Sequence, residues 1–248
     1  MVLINQAVMM LIAPFLLTQL ALATILYHGF HEVFGGRPLW GGGLPAWTIA
    51  AAFTLVHFLV DDFSRYFVHR QMHRWAFLWA FHKVHHTAET LTPVTVLRTH
   101  PAEGVLFTLR SVVSQAVTIS TFVFAFGDRV DLLTIWGVNA LLFVFNVAGA
   151  NLRHSEVSIS YPRWLERWLV SPAQHQIHHS VEHRHHDRNF GVTLALWDWI
   201  GGSLCLSERG QRIRFGLGDS VPAGIHTLKG LYLSPFVESV QAIRTRGV

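Results

Sequence analysis

The chain is poor in cysteine and poor in charge. Cys205 is the single cysteine among 248 residues, which removes a disulfide framework, a cysteine-built zinc ribbon and an iron–sulfur cluster together. Any bound metal must be held by nitrogen or oxygen. Only 14% of the residues are charged, against about a quarter in an ordinary soluble domain, while 51% are hydrophobic. That balance argues against a water-soluble globule and against a disordered chain alike. The net charge of +4 comes mostly from arginines scattered between apolar blocks, so no nucleic-acid footprint is drawn. The anionic surface of a bilayer suits it better. No linker-like composition and no internal repeat appears, so residues 1–248 read as one domain.

The first 31 residues hold no Asp, Glu, Lys or Arg. Residues 4–27 are long enough, at about 1.5 Å per residue, to cross about 30 Å of hydrocarbon, whereas a signal peptide would need a basic start and a shorter apolar stretch. A second uncharged block begins with Gly41, Gly42, Gly43 and Pro45 as a loop, so its helix is expected over 46–62, ending at Asp61-Asp62. The third block, 105–126, is broken only by Arg110, and a span over about 131–150 completes the set, with a polar turn at Gly127-Asp128-Arg129. The expected fold is all-α and integral to the membrane, with four transmembrane helices in two hairpins and a helical cap formed by 63–104 and 151–248. Sixteen of the 19 basic residues fall on the cap side, which places the cap and both termini in the cytoplasm, at the inner membrane in a bacterial cell. Within the cap, Trp164, Leu165, Trp168 and Leu169 alternate with Arg163, Glu166 and Arg167 at helical spacing, a pattern suited to a lipid interface or to packing on the cap.

Against these scarcities stands an excess of histidine. The chain has 17, and thirteen lie in two windows, His69–His100 and His154–His186, that together make up about a quarter of its length. His69-x-x-x-His73 puts two imidazoles on one helical face. In His82-x-x-His85-His86 the last two rings point about 100° apart, so a single turn can serve two cations. His175-x-x-His178-His179 repeats that spacing. With His154 and His186 nearby, about ten imidazoles are available, more than one metal ion can use. Neutral imidazole suits iron, copper or zinc and not magnesium or calcium. Paired metals at a membrane surface point to dioxygen activation by two irons, with a membrane-bound dizinc lipid hydrolase as the alternative.

The order His69-Arg-x-x-His73, His82-Lys-x-His85-His86, Arg98-Thr-His100-Pro-Ala-Glu103, Asn151-Leu-Arg-His154-Ser155, His175-x-x-His178-His179-Ser180 and His186-Asp187-x-Asn189-Phe190-Gly191 resembles the fatty acid hydroxylase superfamily, and within it the sterol desaturase family. The resemblance implies a non-haem di-iron centre where the cap meets the membrane, and O2-dependent hydroxylation or desaturation of a sterol, fatty acyl or sphingolipid-like substrate. It implies His69, His73, His82, His85, His86, His154, His175, His178, His179 and His186 as ligands. Asp62, His100, Glu103 and Asp187 are candidates to orient them, because ligating imidazoles donate their other N–H to a carboxylate or carbonyl. One departure stands out: fatty acid 2-hydroxylases of this superfamily carry a histidine where this chain has Ala150. With no dinucleotide fingerprint, haem segment or cysteine cluster in the chain, electrons are expected from a separate redox protein docking on the basic face.

Overall fold

A computed structural model of the chain describes residues 18–36, 43–130, 152–208, 210–218, 221 and 224–245. The helices are α1 (Thr18–Phe34), α2 (Ala46–Arg74), α3 (Ala76–His86), α4 (Pro101–Phe126), α5 (Pro172–His178), α6 (Leu196–Gly201), α7 (Leu228–Tyr232) and α8 (Ser234–Thr245). Among the described residues there is no strand, and β pairing is confined to two isolated bridges, Leu169–Leu194 and Ser180–Phe215.

Among the described residues two helices, α2 and α4, are long and apolar enough to cross a membrane. The other two expected spans fall largely outside the described residues: of 4–27 only the part from Thr18 is seen, as the start of a helix that continues to Phe34, and 131–150 lies outside them. α4 packs against both α1 and α2, closing a core of Ala23, Ile49, Phe53, Ala116, Ile119 and Phe122.

The expected end of the second helix at Asp61-Asp62 is corrected by the structure, because α2 runs on to Arg74. Both carboxylates are buried but satisfied, so neither needs water and neither stops the helix. Asp61 pairs with Arg65 one turn on and with Arg110 of α4, at 2.8 Å each. Asp62 accepts from the backbone N–H of Leu194 at 3.0 Å and the indole N–H of Trp197 at 2.9 Å. The extension matters for function, since it carries His69 and His73 on the last two turns of the same rigid rod.

Trp75, extended at φ −103° and ψ 112°, breaks the rod and folds α3 back onto α2. Residues 161–170 form turns rather than the expected helix, with Trp164 and Trp168 facing outward and Glu166 wholly buried. Glu166 accepts from Ser171 Oγ at 2.6 Å, Ser207 Oγ at 2.5 Å and Ser207 N–H at 2.9 Å. Those bonds favour an irregular path over a regular helix. α5 starts on a capping box in which Ser171 Oγ accepts from Gln174 N–H and Gln174 Oε1 accepts from Ser171 N–H, with Pro172 at the first helical position.

Candidate metal centre

Nine of the ten candidate ligands converge in two adjoining groups. His69, His73, His82, His86 and His178 form one, and His85, His154, His175 and His179 the other, with the ring nitrogens of each group within 4.8 Å of one another. The helical geometry explains the division. His82 and His86, four residues apart on α3, share a face and enter the first group, while His85, turned by about 100° from His86, enters the second. At the end of α5 the pattern inverts: His178 joins the first group, His175 and His179 the second. Each His-x-x-His-His motif therefore straddles both groups.

Acceptors on the far side of the rings fix how several of them point. His69 Nδ1 lies 2.8 Å from the Phe190 carbonyl, His178 Nδ1 2.8 Å from the Arg188 carbonyl, His82 Nδ1 2.9 Å from Glu103 Oε1 and His85 Nδ1 3.3 Å from the Arg98 carbonyl. A carbonyl can only accept, so on His69, His178 and His85 the proton sits on Nδ1 and Nε2 presents a lone pair inward. Burial pushes the imidazole of His82 down to about 3 and that of His85 down to about 4. It also holds His86, His175, His178 and His179 well below the ordinary histidine range. Those six rings are therefore neutral at pH 7, the form that ligates metal.

These residues fit a pair of metal ions. His69 Nε2 and His82 Nε2 face each other at 3.1 Å, with the His69 proton held on its other nitrogen, so a ring lone pair meets a second ring nitrogen. In the second group Nε2 of His154 lies 3.1 Å from that of His85 and 3.0 Å from that of His175. Separations near 3 Å bring the ring nitrogens close enough that one cation, about 2.1 Å from each, would take both. His178 Nε2 and His73 Nε2 are buried without a protein partner, as orphaned donors to a metal would be. A cavity of about 340 Å³ lined by His73, Trp79, His86, His178, His186 and Asp187 opens onto the five-histidine group.

The remaining candidates are placed differently. His186 is exposed, outside both groups and beside His183, so the structure puts it on the cavity wall rather than among the converging rings. Of that stretch His185 turns inward, to Ser180 Oγ at 2.8 Å. His100 caps α4, its Nδ1 accepting from Ala102 N–H at 3.0 Å, and its other nitrogen meets the Tyr232 carbonyl at 3.2 Å. Asp62 holds the 194–197 segment and touches none of the nine rings, whereas Glu103 does meet one. Asp187 is exposed, with its carboxylate 4.0 Å from His73 Nδ1.

The sequence did not reveal that main-chain carbonyls of residues 188 and 190 orient histidines from two different elements. Asp187 and Asn189 adopt φ of 57° and 55°, and Asn189 clamps the bend through the carbonyls of Gln174 and Cys205 and the Cys205 N–H. Asp198 accepts from the N–H groups of Phe190 at 2.8 Å and Gly191 at 2.6 Å. The available signal was Asn-Phe-Gly itself, since Asn tolerates the left-handed region. Gly191 is required by space: a Cβ there would meet Asp198 Oδ2 at 2.7 Å and the Leu194 carbonyl at 2.8 Å. Gly191→Ala is expected to destabilise the protein by about 1–3 kcal/mol and to loosen metal retention, measured by thermal unfolding and by metal content after dialysis against chelator. An unchanged melting temperature with full metal content would contradict the clamp.

A buried nest of neutral imidazoles at the head of membrane-length helices defines a class: a protein that is helical over its described residues and carries two histidine clusters able to hold metal ions. The family model for fatty acid hydroxylase matches residues 54–203, and the chain belongs to that family. It is similar to an alkylglycerol monooxygenase of Homo sapiens, 28% identical over 160 residues that cover 64% of this chain and 32% of that protein. It is also similar to a Delta(7)-sterol 5(6)-desaturase of Gibberella zeae, 26% identical over 194 residues, 78% of this chain and 50% of that one. A third relative is methylsterol monooxygenase 2-1 of Arabidopsis thaliana, 25% identical over 169 residues, 64% and 58% of the two chains. The chain thus spans between about a third and somewhat over half of the length of these relatives. No solved structure matches it.

Proposed function

We propose that this protein is a membrane-embedded di-iron oxidoreductase that uses O2 to hydroxylate or desaturate a membrane lipid of the sterol, fatty acyl or sphingolipid-like class. The observation that carries the proposal is the double nest of nine inward-facing imidazoles, within a family whose relatives are named monooxygenases and desaturases. His69, His73, His82, His86 and His178 would hold one iron, and His85, His154, His175 and His179 the other. Bound iron would supply O2 activation and the oxidising power to break an unactivated C–H bond. The carbonyls of Arg98, Arg188 and Phe190 keep three of the rings in the ligating tautomer, and Glu103 orients a fourth. The cavity beside His73, His86 and His178 admits a segment of the substrate, and its buried inner wall excludes water from the reacting carbon.

In this proposal the chain crosses the bilayer four times, its cap and termini lie in the cytoplasm, and an external redox protein delivers electrons to the basic face. The dizinc hydrolase alternative draws no support from the relatives' names. Mass spectrometry of lipids from an expressing host, grown with and without 18O2, tests the activity, together with metal analysis of the purified chain. The expected result is two irons per chain and an O2-dependent product that gains one labelled oxygen or loses two hydrogens. Turnover without O2, or an active zinc-only enzyme, would overturn the proposal.

A further inference from the structure

The turns of 161–170 and helix α6 are joined into one unit. Ala195 N–H donates to the Trp168 carbonyl at 2.9 Å, Val170 N–H donates to the Thr193 carbonyl at 2.9 Å, and the rings of Trp168 and Trp199 meet edge to face at 5.8 Å. On its outer side this unit exposes Trp164 at 66%, Trp168 at 50%, Trp199 at 51% and Ile200 at 73%, flanked by exposed Arg163 and Arg167. A soluble face would not place three indoles and an isoleucine side by side in water. The unit abuts α2: Phe63 packs on Trp197 at 5.2 Å, and Val56, Phe63 and Phe67 form an exposed apolar stripe on that helix. Starting from Ala46, about 20 residues span the hydrocarbon, which ends near residue 65, at the level of the Phe63–Trp197 contact.

We propose that Trp164, Trp168, Trp199 and Ile200 insert into the headgroup layer of an anionic bilayer, with Arg163 and Arg167 pairing with lipid phosphates. Indole rings favour that layer and arginine matches phosphate. The inference rests on the membrane-embedded reading above. It gives α6 a second role, because Asp198, between Trp197 and Trp199, holds the N–H groups of the loop whose carbonyls orient His69 and His178.

The test is spin-label accessibility of the full chain in nanodiscs of phosphatidylcholine with and without phosphatidylglycerol. In a Cys205→Ser background, nitroxides are attached at Trp164→Cys, Ile200→Cys, Thr90→Cys on the exposed cap, and Val113→Cys on the exposed side of α4. Positions 164 and 200 are expected to lose nickel-chelate accessibility and gain oxygen accessibility relative to 90, and Arg163→Glu/Arg167→Glu is expected to reverse that shift in the anionic discs. Lipid-like behaviour at 113 with water-like behaviour at 164 and 200 would overturn this inference alone, and water-like behaviour at 113 as well would overturn the membrane reading beneath it. Immobilisation at 164 and 200 that grows with protein concentration would assign the face to a second copy and also overturn the inference.

Discussion

His178→Ala is expected to leave the purified protein with about one metal ion per chain instead of two, and to lower product formation by more than about 100-fold. His178 is the one ring that α5 sends into the five-histidine group, where its Nε2 lacks a protein partner while Nδ1 is engaged by the Arg188 carbonyl. Helices α2 and α3 supply the other four rings, so the substitution deletes the contact that joins the two halves of the chain across one ion. Glu103→Gln should act more gently, lowering metal affinity by about 10–100-fold, because it removes the carboxyl group that orients His82 while keeping a hydrogen-bonding side chain of the same shape. His186→Ala separates expectation from structure most sharply. Its position outside both groups predicts full metal content, whereas a ligand would lose an ion. Plasma emission analysis beside a product assay decides among these outcomes. Two metals and normal turnover in the His178 variant would remove the site assignment.

Asp61→Ala is expected to cost about 3–5 kcal/mol, because it leaves Arg110 as an uncompensated buried charge. Arg110 Nη1 binds Asp61 Oδ1 at 2.8 Å, the Asp61 carbonyl at 3.1 Å and Ser64 Oγ at 2.6 Å, and both side chains of the ion pair are only 6% exposed. Arg65 at 28% exposure can turn to water and is the lesser loss. The double variant Asp61→Ala/Arg110→Leu should recover much of the stability, since removing both charges removes the desolvation cost that one unpaired charge creates. Thermal unfolding in detergent, followed by tryptophan fluorescence, measures both. Additive losses in the double variant would show that the pair is not what joins α2 to α4 at this level.

The histidines were legible in the sequence because a helix converts spacing into direction. Residues i and i+4 share a face and i+3 and i+4 diverge, so two His-x-x-His-His motifs and one His-x-x-x-His already implied rings aimed at two cations. The low charge and the single cysteine likewise pointed to a lipid setting and to nitrogen or oxygen donors, since both follow from composition. What spacing could not supply is which partner a polar group meets across the fold. Asp61 and Asp62 read as a helix end, yet α2 continues because Arg110, Leu194 and Trp197 arrive from distant parts of the chain. Glu166 read as one member of a charged stripe opposite the tryptophans and is instead wholly buried among the serines that it binds. His186 lies in sequence beside true members of the cluster, but Asp187 and Asn189 turn the backbone so that the carbonyls of 188 and 190, not the imidazole of 186, face the nest. Local periodicity thus determined the kind of chemistry, the element type and the divergence of neighbouring rings, while the acceptors that aim the rings inward and the burial that keeps them neutral were decided by tertiary packing, because a partner such as the Phe190 carbonyl, 121 residues from His69, leaves no spacing to read.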